Sequence, residues 1–241
     1  MTPTPELRVG LEGRPFALSF ARARTVNTKS SGFLNTMKIE CPEGSFGAYI
    51  FDCDGTIADT MPLHFQAWTH AMEVFGGTFP EELFYEWGGK PTKVIVDQLN
   101  AKFGTNLDVE ETVHEKERFY LQLLNDVKPI MPVLEIAQRM YGVIPLGVAS
   151  GGYHVLVDAT LRALGITGLF ETVVCAEDYS RGKPAPDAFL EAARRLNVEP
   201  GRCLVFEDSP TGIAAAEAAG MRWVHVPSEE SGRLKERKVE G

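Results

Sequence analysis

The stretch Tyr49-Ile50-Phe51-Asp52-Cys53-Asp54-Gly55-Thr56 constrains this chain most: an apolar run stops abruptly at two carboxylates one residue apart, followed by glycine and threonine. If the strand simply continued, the two aspartates would share a face, and crowded like charges resist joint ionisation. Such an ending suits a cation held between carboxylates, or a carboxyl that must carry a proton. An acidic end to an ordinary strand-helix turn is the plainer reading of the same tripeptide. Gly55 lets the backbone turn sharply and come close to a ligand.

Three further segments follow in order. Val143-Ile144-Pro145-Leu146-Gly147-Val148-Ala149 runs into Ser150-Gly151-Gly152 just before a helical pattern. Backbone N–H groups at a helix start are unpaired and bind anionic oxygens. Arg181-Gly182-Lys183-Pro184-Ala185-Pro186 then sets a lysine immediately before a proline-initiated helix, where acids are the usual choice. A cation there calls for an anion opposite. Last, Cys203-Leu204-Val205-Phe206 ends in Glu207-Asp208-Ser209-Pro210, a second strand-terminal carboxylate pair. Each has a plain alternative as a glycine turn, a solvated lysine or an acidic helix start. Four strand ends with phosphate or metal chemistry in one chain point to a phosphoryl-handling site.

In the order of these motifs, over about residues 47 to 226, the chain resembles the haloacid-dehalogenase-like superfamily, in its sugar-phosphatase and β-phosphoglucomutase branch. Asp52-Cys53-Asp54-Gly55-Thr56 matches the nucleophile loop, Ser150 the phosphate-binding serine, Lys183 the motif lysine, and Glu207-Asp208 the acidic metal motif. Asp59-Thr60, His64-Phe65 and Ala67-Trp68 resemble the hinge and first cap helix, and Gly89-Lys90-Pro91-Thr92 the substrate loop of the cap.

The patterning predicts an α/β fold. Apolar runs ending at Phe51, Ala149, Cys175, Phe206 and Val226 alternate with helical stretches over 133–141, 153–164, 187–196 and 211–219. That alternation implies a doubly wound parallel sheet covered on both faces. Its ligand site then lies at the carboxyl ends of the strands. The interval 64–128 has no strand run and reads as an inserted helical cap, with Phe65, Trp68, Met72 and Phe75 as a packing stripe. The expected division is a core over 37–63 and 129–227, a cap over 64–128, and a loosely held tail over 228–241. Residues 1–36 carry five basic residues against Glu6 and Glu12. They are expected to be a disordered extension without chemistry, with Met37 as a plausible beginning. They lack the apolar stretch of a secretory signal.

A formal charge of -9 argues against a nucleic-acid binder, and no apolar run has transmembrane length. Four cysteines without Cys-x-x-Cys spacing read as thiols of a reducing compartment, which predicts a cytoplasmic protein; a monomer or weak homodimer is expected.

The resemblance implies a mechanism. Asp52 is expected to be the nucleophile that becomes an aspartyl phosphate, and Asp54 the acid, then base, for leaving group and water. Mg²⁺ would be held by Asp52, the backbone carbonyl of Asp54, and Asp208, with Glu207 as a further or outlying carboxylate. Thr56, Ser150, Gly151 and Lys183 would bind the phosphoryl group of a small phosphorylated metabolite, with His64 and Lys90 as further substrate contacts. Asp54 disfavours haloacid dehalogenases, which need no leaving-group acid, and phosphonatases, which have a small residue there. A phosphoryl mutase is the alternative. Yet Gly88 and Thr92 align where the mutase cap has cations for a second phosphate, and Tyr153 and His154 where it has lysine and asparagine. Lys90 and Lys93 would compensate in a register shifted by one. A non-catalytic protein on the same fold would need a broken motif, and none of Asp52, Asp54, Ser150, Lys183 or Asp208 is missing.

Overall fold

The computed structural model describes residues 39–88 and 90–227. The expected extension over 1–36, the start at Met37, Gly89 of the cap loop and the tail over 228–241 lie outside the described residues. The run before Asp52 forms β1 (Ala48–Phe51), every residue of which is buried. With β4 (Leu146–Ala149), β5 (Thr172–Val174), β6 (Cys203–Glu207) and β7 (Arg222–His225) it builds a parallel sheet of order β5-β4-β1-β6-β7. β1 is central, and Phe51 pairs in register with Val148 on one side and Phe206 on the other. That register brings the ends of β1, β4 and β6 level, so Asp52, Ser150 and Asp208 emerge at one edge.

Successive strand residues face opposite layers, and the two layers differ in size. Tyr49, Phe51, Leu146, Val148, Leu204 and Phe206 face α5 (Met131–Met140) and α6 (His154–Ala163), through Val133, Leu134, Ala137, Val157 and Leu161. The Phe51 and Phe206 rings stack at 4.6 Å. Ala48, Ile50, Ala149, Cys203 and Val205 face α7 (Asp187–Arg195) and α8 (Pro210–Ala218), whose buried positions are mostly alanine. Small residues there let two helices lie close under the acidic strand end. The doubly wound parallel sheet predicted from the alternation is present, and each of these helices lies within two residues of its predicted bounds.

Among the described residues four α-helices lie between β1 and α5: α1 (Met61–Phe75), α2 (Glu81–Glu86), α3 (Thr92–Phe103) and α4 (Val109–Leu123). Pro62 lies in the first turn of α1, and left-handed Gly76 ends that helix. The Asp108 side chain caps α4 by accepting from the Glu111 N–H at 2.9 Å. Trp68, Met72, Phe79, Phe84, Trp87, Leu99 and Val113 form a hydrophobic centre of this segment's own, and Phe65 and Phe75 pack against it half-buried. The predicted stripe on α1 is therefore packing. A ribbon too short to read in the sequence carries the two crossings to the main sheet: β2 (Ala58–Asp59) pairs antiparallel with β3 (Lys128–Pro129). A second apolar cluster of Leu63, Ala67, Tyr120, Leu124 and Leu156 joins α1 and α4 to α6.

Cys41, Cys53, Cys175 and Cys203 are free thiols, the last three buried. Among the described residues no helix is long and apolar enough to cross a membrane.

Truncating the stacked pair tests this core. Phe206→Ala removes a fully buried ring and is expected to lower stability by about 3–5 kcal/mol, read as a lower urea midpoint in equilibrium unfolding.

Candidate active site

Three strand ends converge on one cluster of charge. Lys183 Nζ donates to Asp52 Oδ1 at 2.5 Å and to Glu207 Oε2 at 2.7 Å, with all three side chains buried. Carboxylate oxygens of Asp52, Glu207 and Asp208 lie within 4.8 Å of one another. Both oxygens of Glu207 are engaged: Oε2 accepts from Lys183, and Oε1 accepts from the Ser209 N–H at 3.0 Å and the Ser209 hydroxyl at 2.8 Å. Gly212, in the first turn of α8, permits this: a Cβ there would stand 2.0 Å from the Glu207 carboxyl carbon.

Lys183 does not directly precede a helix. It sits in a turn beside a cis bond to Pro184, and α7 begins only at Asp187 after a second proline. The turn lets the long side chain reach inward, with its ammonium 4.8 Å from the centre of the Phe189 ring.

One ammonium does not balance three carboxylates. Burial works against the Glu207 anion, but Lys183 and the two Ser209 bonds hold its carboxyl below the usual range. Burial also opposes the charged Lys183, and its two carboxylates keep it protonated well above the ordinary lysine range. Asp52 is pushed up to about 8, by burial first and then by Glu207, with Lys183 opposing. Asp208 is raised well above its ordinary value by burial and by Glu207 and Asp52. The charge left uncompensated thus falls on Asp52 and Asp208, as suits a pair of oxygen ligands for a hard divalent cation.

The second aspartate of the loop has a different environment. After Phe51 the chain bends back on itself, with Ile57 and Ala58 N–H groups donating to the Cys53 carbonyl at 3.1 and 3.0 Å and Gly55 N–H to Ala58 at 2.9 Å. Gly55 has a φ of +81°, and a Cβ on it would lie 2.4 Å from Asp208 Oδ2. This turn points Asp54 away from the Lys183 cluster and towards α1. Its Oδ1 accepts from the Thr60 hydroxyl at 2.6 Å and from His64 Nε2 at 3.2 Å. His64 stacks on Tyr120 with ring centres 4.1 Å apart, and its Nδ1 lies 3.1 Å from Nζ of buried Lys116 on α4. A lysine ammonium can only donate, so the His64 ring proton falls on Nε2 and points at Asp54. Burial would raise the Asp54 carboxyl, but His64, Thr60 and Lys116 hold it at about 2. Burial and Lys116 lower His64, with Asp54 opposing, which favours its neutral form. Asp54 Oδ2 lies on the side of the Ser150 turn, 3.8 Å from where a Gly152 Cβ would stand.

Ser150 follows β4 and is buried. Its hydroxyl accepts from the Gly152 N–H at 3.0 Å, and its carbonyl accepts from the Tyr179 hydroxyl at 3.0 Å. Gly151 leaves open space where a side chain would be. The start of α6 differs from the expected open anion site, because the His154 N–H donates to the Glu177 carboxylate at 3.0 Å. Thr56 donates its hydroxyl to Asp208 Oδ1 at 3.2 Å.

The fold thus gathers Asp52, Asp54, Thr56, Ser150, Lys183, Glu207 and Asp208 at one edge and adds His64 from α1. Lys90 is engaged within the cap: its ammonium donates to Gln98 at 3.0 Å and lies 4.8 Å from the Trp87 ring centre. Lys93 pairs with Glu110 at 2.5 Å. Lys116 escaped the sequence reading, since Glu115-Lys116-Glu117-Arg118 looks like a solvated helix face until α1 packs against α4. Thr60 shows in the sequence only as part of a hinge.

A strand-end carboxylate pair, a buried lysine and a second aspartate in the loop after β1, held by Thr60 and by His64 of the helical insertion, define a phosphoryl-type site on a doubly wound sheet. Comparison with known proteins gives the family. The haloacid dehalogenase-like hydrolase model matches residues 46–220, and the chain belongs to that family. It is 36% identical to fructose-1-phosphate phosphatase YqaB of Escherichia coli, over 75% of this chain and 96% of the relative. It is 33% identical to β-phosphoglucomutase of Bacillus subtilis, over 72% and 80%. A solved β-phosphoglucomutase from Clostridium difficile superposes with a TM-score of 0.67 at 27% identity, over 77% of this chain and 86% of that one.

Gly55→Ala tests the close approach of the loop to Asp208. The added methyl must displace that carboxylate, and displacement on the order of 1 Å costs about 10²-fold in turnover. The expected result is a loss of that size in kcat with a cooperative thermal transition retained.

Proposed function

We propose that the protein is a Mg²⁺-dependent phosphatase that hydrolyses the phosphate monoester of a small sugar or related metabolite through an aspartyl phosphate on Asp52. The observation that carries this reading is the division of labour between two aspartates one residue apart: Asp52 lies against Lys183 and the acidic cluster, and Asp54 against Thr60 and His64. The phosphatase and mutase names of the relatives support the same class of chemistry.

In the first step an Asp52 oxygen attacks phosphorus, the ester P–O bond breaks, and the departing oxygen takes a proton from Asp54 Oδ2. In the second, water attacks the aspartyl phosphate, Asp54 takes the water's proton, and Asp52 is restored as phosphate leaves. The resting Asp54, held at about 2, is the base that the second step requires. The first step requires its acid form, favoured once a phosphoryl dianion lies beside it. Thr60 and His64 fix Oδ1 and so aim Oδ2 at the reacting group. Lys183 offsets the charge of nucleophile and phosphate together, with Glu207 as the carboxylate that positions it. Ser150 and Gly151 bind phosphoryl oxygens. Asp52, Asp208 and the Asp54 carbonyl would hold Mg²⁺, which supplies charge neutralisation between carboxylates and phosphate. The core, 37–63 and 129–227, carries this chemistry, and the cap, 64–128, covers the substrate. The setting is cytoplasmic and the protein a monomer or weak homodimer.

Hydrolysis is favoured over mutase chemistry because, among the described residues, the positions aligned with the mutase's cations carry none or carry one that is engaged. Gly88 and Thr92 bring none, Lys93 is paired with Glu110, and His154 Nε2 lies 2.7 Å from Asp178 Oδ2.

Assay of a panel of phosphomonoesters for phosphate release tests the reading. EDTA is expected to abolish turnover and Mg²⁺ to restore it. Asp52→Asn is expected to abolish it with the fold intact, and Asp54→Asn to slow it by about two to four powers of ten. Phosphorus NMR of a β-glucose-1-phosphate reaction separates the alternatives: free phosphate is expected, and accumulation of glucose-6-phosphate would establish a mutase.

A further inference from the structure

The parallel ladder between β4 and β5 loses a rung where the Ser150 turn begins. Ser150 N–H donates to the Val174 carbonyl at 2.9 Å, and with Ala149 paired to Val174 the next rung would run from the Ala176 N–H to the Ser150 carbonyl. The Ala176 N–H instead donates to the Gly152 carbonyl at 2.9 Å. Buried Ser150 is thereby left with a carbonyl that the sheet does not serve, and the Tyr179 hydroxyl donates to it at 3.0 Å. Tyr179 stands a few residues before Lys183 in the chain, half-buried against the alanine-rich layer. Burial pushes its phenol up to about 12, with Lys183 opposing, so it is a donor at neutral pH.

That bond controls more than one atom. The Ser150 carbonyl and the Gly151 N–H belong to one trans peptide and point in opposite directions, so holding the oxygen towards Tyr179 holds the N–H away from it. The Gly152 and His154 N–H groups are engaged by Ser150 Oγ and Glu177. Among the described residues the Gly151 N–H has no acceptor. A peptide between a strand end and two glycines rotates easily, and one anchored oxygen decides which way its dipole lies. The turn borders the second aspartate: a Cβ on Gly152 would stand 3.4 Å from Ser150 Oγ and 3.8 Å from Asp54 Oδ2. We infer that Tyr179 is a positioning residue for phosphoryl binding: its hydroxyl fixes the Ser150–Gly151 peptide so that the Gly151 N–H is presented to a phosphoryl oxygen. A hydrogen bond accepted by the carbonyl also strengthens the N–H of the same peptide as a donor. The inference rests on the phosphatase reading for the anion and adds a residue to it that does not itself touch the substrate.

Calorimetric titration of the full-length protein in Mg²⁺ with inorganic phosphate tests this without requiring turnover. Tyr179→Phe, which removes only the hydroxyl, is expected to raise the phosphate Kd about tenfold and to lower kcat/KM for p-nitrophenyl phosphate by about the same factor. Mg²⁺ affinity measured without phosphate is expected to stay within about twofold, because the acidic cluster lies on other strand ends. Gly151→Pro removes the N–H that Tyr179 is held to aim. In that background Tyr179→Phe is expected to add less than about twofold. A Tyr179→Phe protein that binds phosphate as tightly as wild type overturns the inference. So do equal losses of Mg²⁺ and phosphate affinity, as a loosened fold would give, and so does full additivity with Gly151→Pro. If Gly151→Pro does not fold, the comparison of phosphate with Mg²⁺ decides alone. A wild-type protein that binds phosphate but cleaves no ester overturns the phosphatase reading, with Tyr179 still judged by the binding result. A wild-type protein that binds no phosphate overturns both.

Discussion

The bridge from Lys183 to Asp52 and Glu207 is the interaction on which the rest of the site depends. Three carboxylates at the end of a buried parallel sheet repel one another in a medium that screens poorly, and a single buried ammonium is the chain's own answer. It is a partial answer. Ser209 and Lys183 together engage both oxygens of Glu207, so more of the uncompensated charge rests on Asp52 and Asp208. Losing the lysine would leave buried acids that must take up protons, which would impair Asp52 in the nucleophilic role proposed for it.

The same economy of space runs through the backbone. Gly55 and Gly212 each occupy a place where one methyl group would strike an acidic side chain, Asp208 in one case and Glu207 in the other. The alanine-rich layer of α7 and α8 lets those helices lie close to the sheet, whereas the aromatic layer on the opposite face supplies bulk. Packing on the small-residue face therefore sets how tightly the acidic cluster can be drawn together.

Asp54 joins the two halves of the molecule. It extends from the strand-end loop, yet its partners Thr60 and His64 stand at the start of the helical segment, and Lys116 reaches it through His64 from a helix fifty residues further along. In the proposed mechanism, the group that gives and then takes a proton is thereby tied to the helical segment. Any shift of α1 against α4 alters the hydrogen bonds that orient Asp54.

Much of this was legible in the sequence for identifiable reasons. Strand ends at Asp52, Ser150 and Glu207 show because a buried parallel strand is an uninterrupted apolar run and its termination in polar residues is abrupt. Helices show through their period, and the core residues of the acidic site follow because each lies within two residues of such an end. Lys183, in a proline-flanked turn, was legible as a cation in search of an anion, although its partners were not. Tertiary structure alone decided the rest. Lys116 sits in a charged stretch of an amphipathic helix, where local pattern cannot separate a solvated residue from one buried by a neighbouring helix. The β2–β3 ribbon has two residues per strand, too few for any period, and Glu177 caps α6 only because β5 lies beside β4. Local sequence determines which chemistry each strand end carries. Contacts between residues far apart in the chain determine which of those groups meet and which oxygens remain for a ligand.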